Sequence, residues 1–202
     1  MQFWHDITTE KSWQILKGLR KTFHFVLIGG WAVWLYTKNL KSKDIDLICD
    51  YDELQKMTNG YALTKNNRLK KYEIKIEEID VDIYLPHFSK PGLPVEEIKK
   101  HLYRKEGFIL PELEVLFILK QQAYLGRRLS LHGQKDKLDL IALLSLEEFD
   151  LKKYLHYLQN FDLMRLENDL LVMLKQTREV KELEISAHKM AKIKKKIINK
   201  LL

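Results

Sequence analysis

The sequence contains a single cysteine, Cys49, among its 202 residues. One cysteine cannot form a disulfide within the chain, which fits a reducing compartment. Long apolar runs are also missing: the longest nonpolar stretch, residues 25–36, has 12 residues, whereas a membrane-spanning helix needs about 20. The amino-terminal residues lack the basic and apolar segments of a signal peptide. We therefore expect a cytoplasmic protein with no membrane partner.

Proline and glycine are scarce, with four and eight residues respectively. Together with 46% hydrophobic and 31% charged residues, this composition excludes a disordered chain and is typical of a globular protein. All four prolines lie within residues 86–111, and such clustering predicts a crossover between two halves. We assign residues 1–90 to a mixed α/β domain and residues 91–202 to a helical domain.

Acidic residues are absent from residues 189–202, which carry six lysines. This segment accounts for six of the seven excess positive charges, so the rest of the chain is nearly neutral. Met190, Ile193 and Ile197 recur at helical spacing with lysines largely between them. The pattern predicts a final helix with a solvated lysine face. Binding of RNA or another polyanion to that face is the alternative.

Runs rich in valine, isoleucine and tyrosine predict the strands of the first half. They cover residues 23–28, 45–49 and 72–85. After Pro111 the strand signals stop and helical periodicity takes over. Pro111 suits the first turn of a helix that ends near Leu129, because proline lacks the N–H that this turn does not need. Further helices are expected over residues 136–144, from a capping box at residues 145–148, over residues 163–178 and over residues 180–202.

The strand that ends at Ile28 leads directly into Gly29 and Gly30 and then into an apolar helical segment. Glycines at this junction allow a sharp turn and let a phosphate approach backbone N–H groups. A tight strand-to-helix turn without a ligand is the alternative interpretation.

Asp44 and Asp46 alternate with Ile45 and Leu47. On a strand, both carboxylates therefore project from one face while the apolar side chains enter the core. Two neighbouring carboxylates repel each other, and a divalent cation such as Mg²⁺ offsets that repulsion. A solvated edge strand that carries two surface aspartates is the alternative.

A third acidic position lies in the segment from Ile79 to Leu85. Alternation predicts that its apolar residues are buried and that Asp80 and Asp82 share the other face. Either could complete a metal site. We favour Asp82, because it lies mid-strand between two β-branched residues and nearer the end of the strand.

The helical half contains charged residues in line with its core. Lys120 and Arg127 lie on the apolar face of the helix that follows Pro111, and an unpaired buried charge is costly. Asp136 and Asp139, one helical turn apart, are candidate partners. The alternative is that Lys120, Arg127 and Lys135 bind phosphate.

Taken together, Gly29-Gly30, the Asp44-Ile45-Asp46 segment thirteen residues later, and Asp82 resemble the signature of the DNA polymerase β-like nucleotidyltransferases. The resemblance implies an α/β (α+β) nucleotidyltransferase fold, in which a small mixed sheet is flanked by helices and followed by an all-helical half that completes the active-site cleft. It also implies that the glycine pair contacts the nucleotide phosphates. The three aspartates would bind two Mg²⁺ ions, with Mn²⁺ as a substitute.

Within that superfamily, the glycine pair followed by Trp31 is similar to aminoglycoside and lincosamide nucleotidyltransferases. Lys120, Arg127 and the segment from Lys135 to Asp139 are more similar to the AbiEii type, which is found in phage-defence and toxin–antitoxin pairs. That similarity implies an active-site role for Lys120, and for Asp136 or Asp139. The catalytic candidates are then Asp44, Asp46, Asp82 and Lys120. The nucleotide-binding candidates are Gly29, Gly30, Lys43, Lys120, Arg127 and Lys135.

The expected reaction is transfer of a nucleoside monophosphate from a nucleoside triphosphate, such as ATP, to an acceptor hydroxyl with release of pyrophosphate. Three acceptors compete: an RNA end such as that of tRNA, a partner protein, and a small drug molecule. A catalytically silent relative that acts as a binding or antitoxin module is the rival from another class. The sequence leaves the acceptor, the preferred base and the oligomeric state open.

Overall fold

The computed structural model describes residues 6–201, with side chains for residues 6–198. It contains two compact units, the first ending at Glu112 and the second beginning at Leu113. A mixed sheet flanked by helices occupies the first, and helices make up the second. The predicted fold class is therefore confirmed. The units divide later than residue 90, because two strands within residues 102–111 join the sheet of the first unit.

Seven strands form one sheet within the described residues. They are β1 (Val26–Ile28), β2 (Ile45–Ile48), β3 (Leu63–Asn66), β4 (Lys71–Ile76), β5 (Ile79–Tyr84), β6 (Leu102–Lys105) and β7 (Phe108–Pro111). Their order across the sheet is β3-β4-β5-β2-β1-β7-β6. The β2–β5 and β1–β7 pairs are parallel, and the other pairs are antiparallel. The sequence predicted β1, β2 and the β4–β5 segment, but not β3, β6 or β7.

The helices of this unit are α1 (Asp6–Thr22), α2 (Gly29–Thr37), α3 (Tyr51–Thr58) and the single turn α4 (Val95–Ile98). Aromatic rings link α1 to α2: the Trp13 ring lies 5.0 Å from that of Trp31 and 4.9 Å from that of Trp34, centroid to centroid. The buried indole N–H of Trp31 donates to Ser12 Oγ at 2.9 Å. These contacts fix α2, the helix that begins at the glycine pair, against α1.

The predicted alternation of the two acidic strands is confirmed. Ile45 and Leu47 on β2 are fully buried, and so are Val81 and Ile83 on β5. Their aspartate neighbours Asp46 and Asp82 are only half-buried. Because each buried isoleucine, leucine or valine stabilises the fold by roughly 1.5–3 kcal/mol, a one-residue slip of either strand would expose this apolar set. The register that places the aspartates is therefore firmly held.

The second unit consists of α5 (Leu113–Arg127), α6 (Leu131–Leu144), α7 (Leu151–Asn160), α8 (Arg165–Gln176), a 3₁₀ turn (Lys181–Leu183) and α9 (Ala187–Leu201). Phe117 on α5 makes edge-to-face contacts with Phe149 and Tyr154. The buried Tyr154 hydroxyl lies 2.7 Å from Gln121 Oε1, to which it donates. Gln121 in turn donates to the Leu166 carbonyl at 2.5 Å, so one buried polar chain joins α5, α7 and α8.

Three local predictions in this half were wrong. Pro111 ends β7 rather than opening a helix, because its segment pairs with β6, and α5 starts at Leu113. Residues 145–148 form a turn, and α7 is capped instead by Asp150, whose carboxylate accepts from the backbone N–H of Lys152 at 2.9 Å. The expected helix over residues 180–202 is interrupted, because Val180 and Ile185 pair as a β-bridge around the 3₁₀ turn.

Within residues 6–201, no helix has both the length and the apolar character needed to cross a bilayer.

Candidate active site

The candidate site in the first unit begins with two aspartates placed side by side on neighbouring strands. Asp46 on β2 is in direct register with Asp82 on β5, and the two strands are parallel. Residues in register on adjacent strands project from the same face at close range. The chain thus brings two predicted metal ligands together from positions 36 residues apart in the sequence.

Gly29 closes this site on the side of β1. Ile28, the last residue of β1, is in register with Asp46, so the chain turns into α2 immediately beside the Asp46 carboxylate. Gly29 has a φ of +66°, and a Cβ atom placed on it would lie 1.9 Å from Asp46 Oδ2. Two independent constraints, the left-handed backbone and the close approach of the carboxylate, therefore require glycine here.

Asp44 lies just before β2, in a bend, two residues ahead of Asp46. Its side chain is half-buried, and its Oδ1 atom is shielded from solvent. Lys43 precedes it in the same bend, also half-buried. Gly30 is buried in the first turn of α2. These predicted residues flank Asp46 or Gly29 along the chain.

The structure separates Asp80 from Asp82. Asp80 is exposed, and its carboxylate lies 3.9 Å from Lys75 Nζ on the neighbouring strand β4. Asp82 is less exposed, at 21% of its side chain, against 56% for Asp80. Of the two, Asp82 is the one that faces Asp46.

Two charged residues beside Asp82 were missed by the sequence analysis. Lys71 Nζ lies 2.6 Å from Asp82 Oδ2 and 2.9 Å from Glu73 Oε1. Glu73 on β4 is in register with Asp82, so Glu73, Asp82 and Asp46 form a row across three strands. Alternation along β4 places Lys71 and Glu73 on one face, but only the strand register shows that this face carries the aspartates.

The electrostatics of Asp82 reflect this crowding. Burial raises the pKa of Asp82 to about 6, and the Asp46 carboxylate adds to the rise, while the hydrogen bond from Lys71 opposes it. Burial alone would lower the pKa of Lys71, but its hydrogen bonds to Asp82 and Glu73 outweigh burial and raise it. Lys71 thus supplies the positive charge beside the paired carboxylates in this arrangement.

The carboxylates of this site match the ligands that a divalent ion such as Mg²⁺ takes. Within the described part of the chain, no three histidine, cysteine, aspartate or glutamate side chains lie close enough together to hold a metal ion by themselves. Mg²⁺ is commonly held by only one or two carboxylates, with water and substrate phosphate oxygens completing its shell. Asp46 and Asp82 provide such a pair, and Asp44 is the additional carboxylate nearest to them in sequence.

The remaining predicted residues form a buried ionic cluster in the helical unit. Lys120 Nζ lies 2.7 Å from Asp139 Oδ2 and 3.2 Å from Asp136 Oδ1. Arg127 binds Asp136 through two hydrogen bonds, at 2.7 and 3.2 Å. Lys135 Nζ is 3.3 Å from Asp139 Oδ2. Of the two interpretations of these cations, pairing with Asp136 and Asp139 is what the structure contains.

The cluster is unbalanced, with three cationic side chains around two carboxylates. Burial lowers the pKa of Lys135, and Asp139 only partly counteracts this. Burial would raise the pKa of Asp136, but Lys120 and Arg127 reverse that effect and lower it. Asp136 is thus well compensated, whereas Lys135 is a weakly compensated cation. Arg127 also keeps 48% of its side chain exposed.

Comparison with known proteins gives a likeness of fold. No family model matches the chain, and no curated protein matches it. The crystal structure of JHP933 from Helicobacter pylori is 20% identical, covers 96% of this chain and 92% of its own, and superposes with a TM-score of 0.50. An antigenic nucleotidyltransferase-like protein from Paracoccidioides brasiliensis is 14% identical, covers 88% of this chain and 96% of its own, and has a TM-score of 0.42. The first of these structures has a similar fold.

Substitution of Gly29 tests the contact with Asp46. Gly29→Ala should lower the free energy of unfolding by about 2–4 kcal/mol, because alanine is strained at positive φ and its Cβ meets the carboxylate. Gly18→Ala, within α1 and with open space around it, should change stability by no more than about 1 kcal/mol, in the stabilising direction. Urea unfolding measures both.

The same contact predicts a specific coupling. In an Asp46→Ala background the carboxylate is gone and only the contact with the Cβ of residue 46, at 2.9 Å, remains. Gly29→Ala should therefore cost less than in the wild type, by about 1–2 kcal/mol. Equal costs in the two backgrounds would show that Gly29 does not press on Asp46.

The raised pKa of Asp82 predicts a pH-dependent stability. Because the folded protein holds the Asp82 proton up to about pH 6 and the unfolded chain releases it near pH 4, the free energy of unfolding should fall as pH rises through this window. Asp82→Asn should remove this fall and stabilise the protein at pH 7 by about 1–3 kcal/mol. Asp80→Asn, on the same face but exposed, is the control and should leave the profile unchanged.

Matched substitutions test the ionic cluster. Lys120→Met should destabilise the protein by about 3–5 kcal/mol, because it strips the closest cation from Asp139 and one from Asp136. Lys135→Met removes the weakly compensated cation and leaves Asp139 its contact with Lys120, so it should cost less than about 1 kcal/mol or stabilise. Urea unfolding at pH 7 measures the loss of stability in each variant. If Lys135→Met cost as much as Lys120→Met, or more, Lys135 would not be the weakly compensated cation.

Proposed function

We propose that this protein is a magnesium-dependent nucleotidyltransferase. In the proposed reaction an acceptor hydroxyl attacks the α-phosphorus of a nucleoside triphosphate, a new phosphoester bond forms, and pyrophosphate leaves. The observation that carries the proposal is the juxtaposition of Asp46 and Asp82 in register on parallel strands, with Gly29 pressed against Asp46 at the start of α2.

Asp44, Asp46 and Asp82 are the proposed metal ligands. When bound, Mg²⁺ supplies polarisation of the acceptor hydroxyl and neutralises charge on the triphosphate. The carboxylates themselves hold their positions through the buried faces of β2 and β5, where Leu47 and Ile83 are fully buried. Such preorganisation favours catalysis, because the ligand geometry needs little adjustment during the reaction. Mn²⁺ takes the same oxygen ligands and should substitute.

Gly29 and Gly30 are the proposed phosphate contacts. The first turn of a helix presents backbone N–H groups that have no partner within the helix. α2 begins at Gly29 with no side-chain cap, so its N–H groups and the positive end of its dipole favour a phosphate. Lys43, which precedes Asp44, is proposed to add a cationic contact to the nucleotide.

Lys120, Arg127 and Lys135 remain proposed nucleotide-binding residues, and Lys120 a proposed catalytic residue, on the strength of the resemblance to the AbiEii type. The burial of Lys135, which Asp139 only partly compensates, supports this role. Arg127 is the best placed for a phosphate contact, because its side chain is half exposed while it holds Asp136.

RNA is the acceptor we favour over a partner protein or a small molecule. The support is the concentration of positive charge in residues 189–202, since a polyanionic acceptor is attracted to such a segment. The buried thiol of Cys49 is free, which fits the cytoplasm, where nucleoside triphosphates are abundant.

A catalytically silent binding module is the second candidate, and one observation favours it. Lys71 already places its ammonium group against Asp82 and Glu73, where it offsets part of the carboxylate charge without a metal. In an active enzyme Lys71 must share Asp82 with the metal, whereas in a silent module the ion pair would suffice.

Transfer assays with α-labelled nucleoside triphosphates distinguish these candidates. With Mg²⁺ and RNA, the wild-type protein should label the RNA, and Asp44→Asn and Asp46→Asn should each lower the rate by at least about 10²-fold, since each removes charge stabilisation in the transition state. Asp80→Asn is the matched control and should keep the wild-type rate.

The assay also separates the acceptors. Label that appears on added protein fractions or small aminoglycosides, and not on RNA, would reassign the acceptor while keeping the reaction. Wild-type rates in Asp46→Asn, or no transfer to any acceptor class, would refute the proposed activity and leave the binding module.

A further inference from the structure

Helix α9 carries a one-sided row of lysines. Met190 and Ile197 are buried, at 0% and 1% exposure, and define its inner face. Four lysines are exposed: Lys189, Lys192, Lys195 and Lys196. At 100° per residue these four fall within one arc opposite Met190 and Ile197. We refer to them as the lysine stripe.

The stripe is not neutralised by its own helix. Residues 185–202 contain no aspartate or glutamate, so no ion pair between successive helical turns can form there. Other surface lysines are paired, as in the contacts Lys11–Glu78 at 2.6 Å and Lys100–Glu97 at 2.8 Å. From Lys189 to Lys196 the helix rises by about 10 Å, so the stripe presents several cations along one line.

Helix stability does not account for this arrangement. Lysines near a helix carboxyl terminus are favoured by the helix dipole, but those near the amino terminus are disfavoured by it. α9 starts at Ala187, so Lys189 lies in its first turn and Lys192 in its second. The first-turn position of Lys189 costs the isolated helix a few tenths of a kcal/mol, which a polyanionic partner would offset.

The stripe fits a nucleic-acid backbone better than a membrane surface. A helix that lies in a lipid interface inserts its apolar face into the bilayer. The apolar face of α9 is already used, since Met190 and Ile197 are buried within the protein. Among the side chains of residues 187–198, the exposed ones are lysines, His188 and two alanines, with no large apolar side chain. Spaced lysines without a large exposed apolar surface match the phosphates of a nucleic acid.

We propose that the lysine stripe of α9 is the docking surface for the phosphate backbone of the RNA acceptor. The identity of the partner as RNA rests on the proposed function, but the binding step does not require transfer. The stripe contacts phosphates rather than bases, so it holds RNA with little sequence preference.

The test is fluorescence anisotropy with labelled single-stranded RNA, using the full chain without nucleotide. A variant with Lys189, Lys192, Lys195 and Lys196 changed to Gln should bind at least about tenfold more weakly at moderate salt. Its log–log dependence of affinity on salt should be shallower by about 2–3, since each phosphate contact contributes about 0.7 for single strands. Glutamine keeps a helix propensity close to that of lysine, and circular dichroism verifies the fold.

A charge-matched variant is the control: Lys21, Lys90, Lys100 and Lys152, all exposed and outside α9, are changed to Gln. It loses the same net charge and should retain most of the affinity and the salt slope. Equal losses in the two quadruple variants would overturn the proposal, because the effect would then reflect net charge alone.

Two further measurements identify the partner and distinguish RNA binding by the stripe from the proposed transfer activity. Asp46→Asn should bind RNA like the wild type; if wild-type protein binds RNA through the stripe but transfers nothing, the docking surface stands and the proposed activity fails. Vesicles containing anionic lipid should bind weakly. Stripe-dependent binding to these vesicles without binding to RNA would overturn the RNA assignment.

Discussion

The candidate site depends on the absence of space between Gly29 and Asp46. The chain leaves β1, turns through a left-handed residue and starts α2 directly against a carboxylate. Any side chain at residue 29 would push the helix away from the aspartate. This contact sets the separation between the start of α2, where a phosphate would bind, and the strand that carries the proposed metal ligand. A site for a metal–nucleotide complex needs both at short range.

The paired carboxylates are held there against their mutual repulsion. Asp46 and Asp82 lie in register on β2 and β5, and the partial burial of Asp82 raises the cost of its charge. The opposite faces of both strands, which are buried in the hydrophobic core, fix the register and hold the pair together. Lys71 reduces the repulsion by its contact with Asp82. Local electrostatic strain of this kind, supported by a well-packed core, is common at functional sites.

The sequence was sufficient for features that depend on periodicity. Alternation placed Asp46 and Asp82 opposite the apolar residues that the core buries, and the glycine pair marked the strand-to-helix turn. The sequence could not supply the strand register, so Lys71 and Glu73 were missed. Their contacts with each other and with Asp82 determine the charge around the aspartates. Nor could the sequence distinguish Gly29 from Gly30, because the difference between them is a backbone angle and a contact with a residue 17 positions later.

Local signals were misleading where tertiary pairing overrode them. Pro111 resembles a helix start, yet the pairing of its segment with β6 makes it the end of a strand. In the helical unit, the sequence named the members of the ionic cluster and offered pairing as one of two interpretations. Which cation lacks full compensation depends on its burial and on which carboxylates it reaches, and helical spacing cannot give these.

Titration of Mn²⁺ followed by electron paramagnetic resonance is the most direct test that Asp46 and Asp82 hold a divalent ion, because it reports metal binding without an acceptor or transfer. With a non-hydrolysable nucleoside triphosphate present, the protein is expected to bind Mn²⁺ more tightly than the nucleotide does alone, and Asp46→Asn and Asp82→Asn to abolish the difference while Asp80→Asn keeps it. Identical titrations for the wild type and Asp46→Asn would show that Asp46 is not a metal ligand.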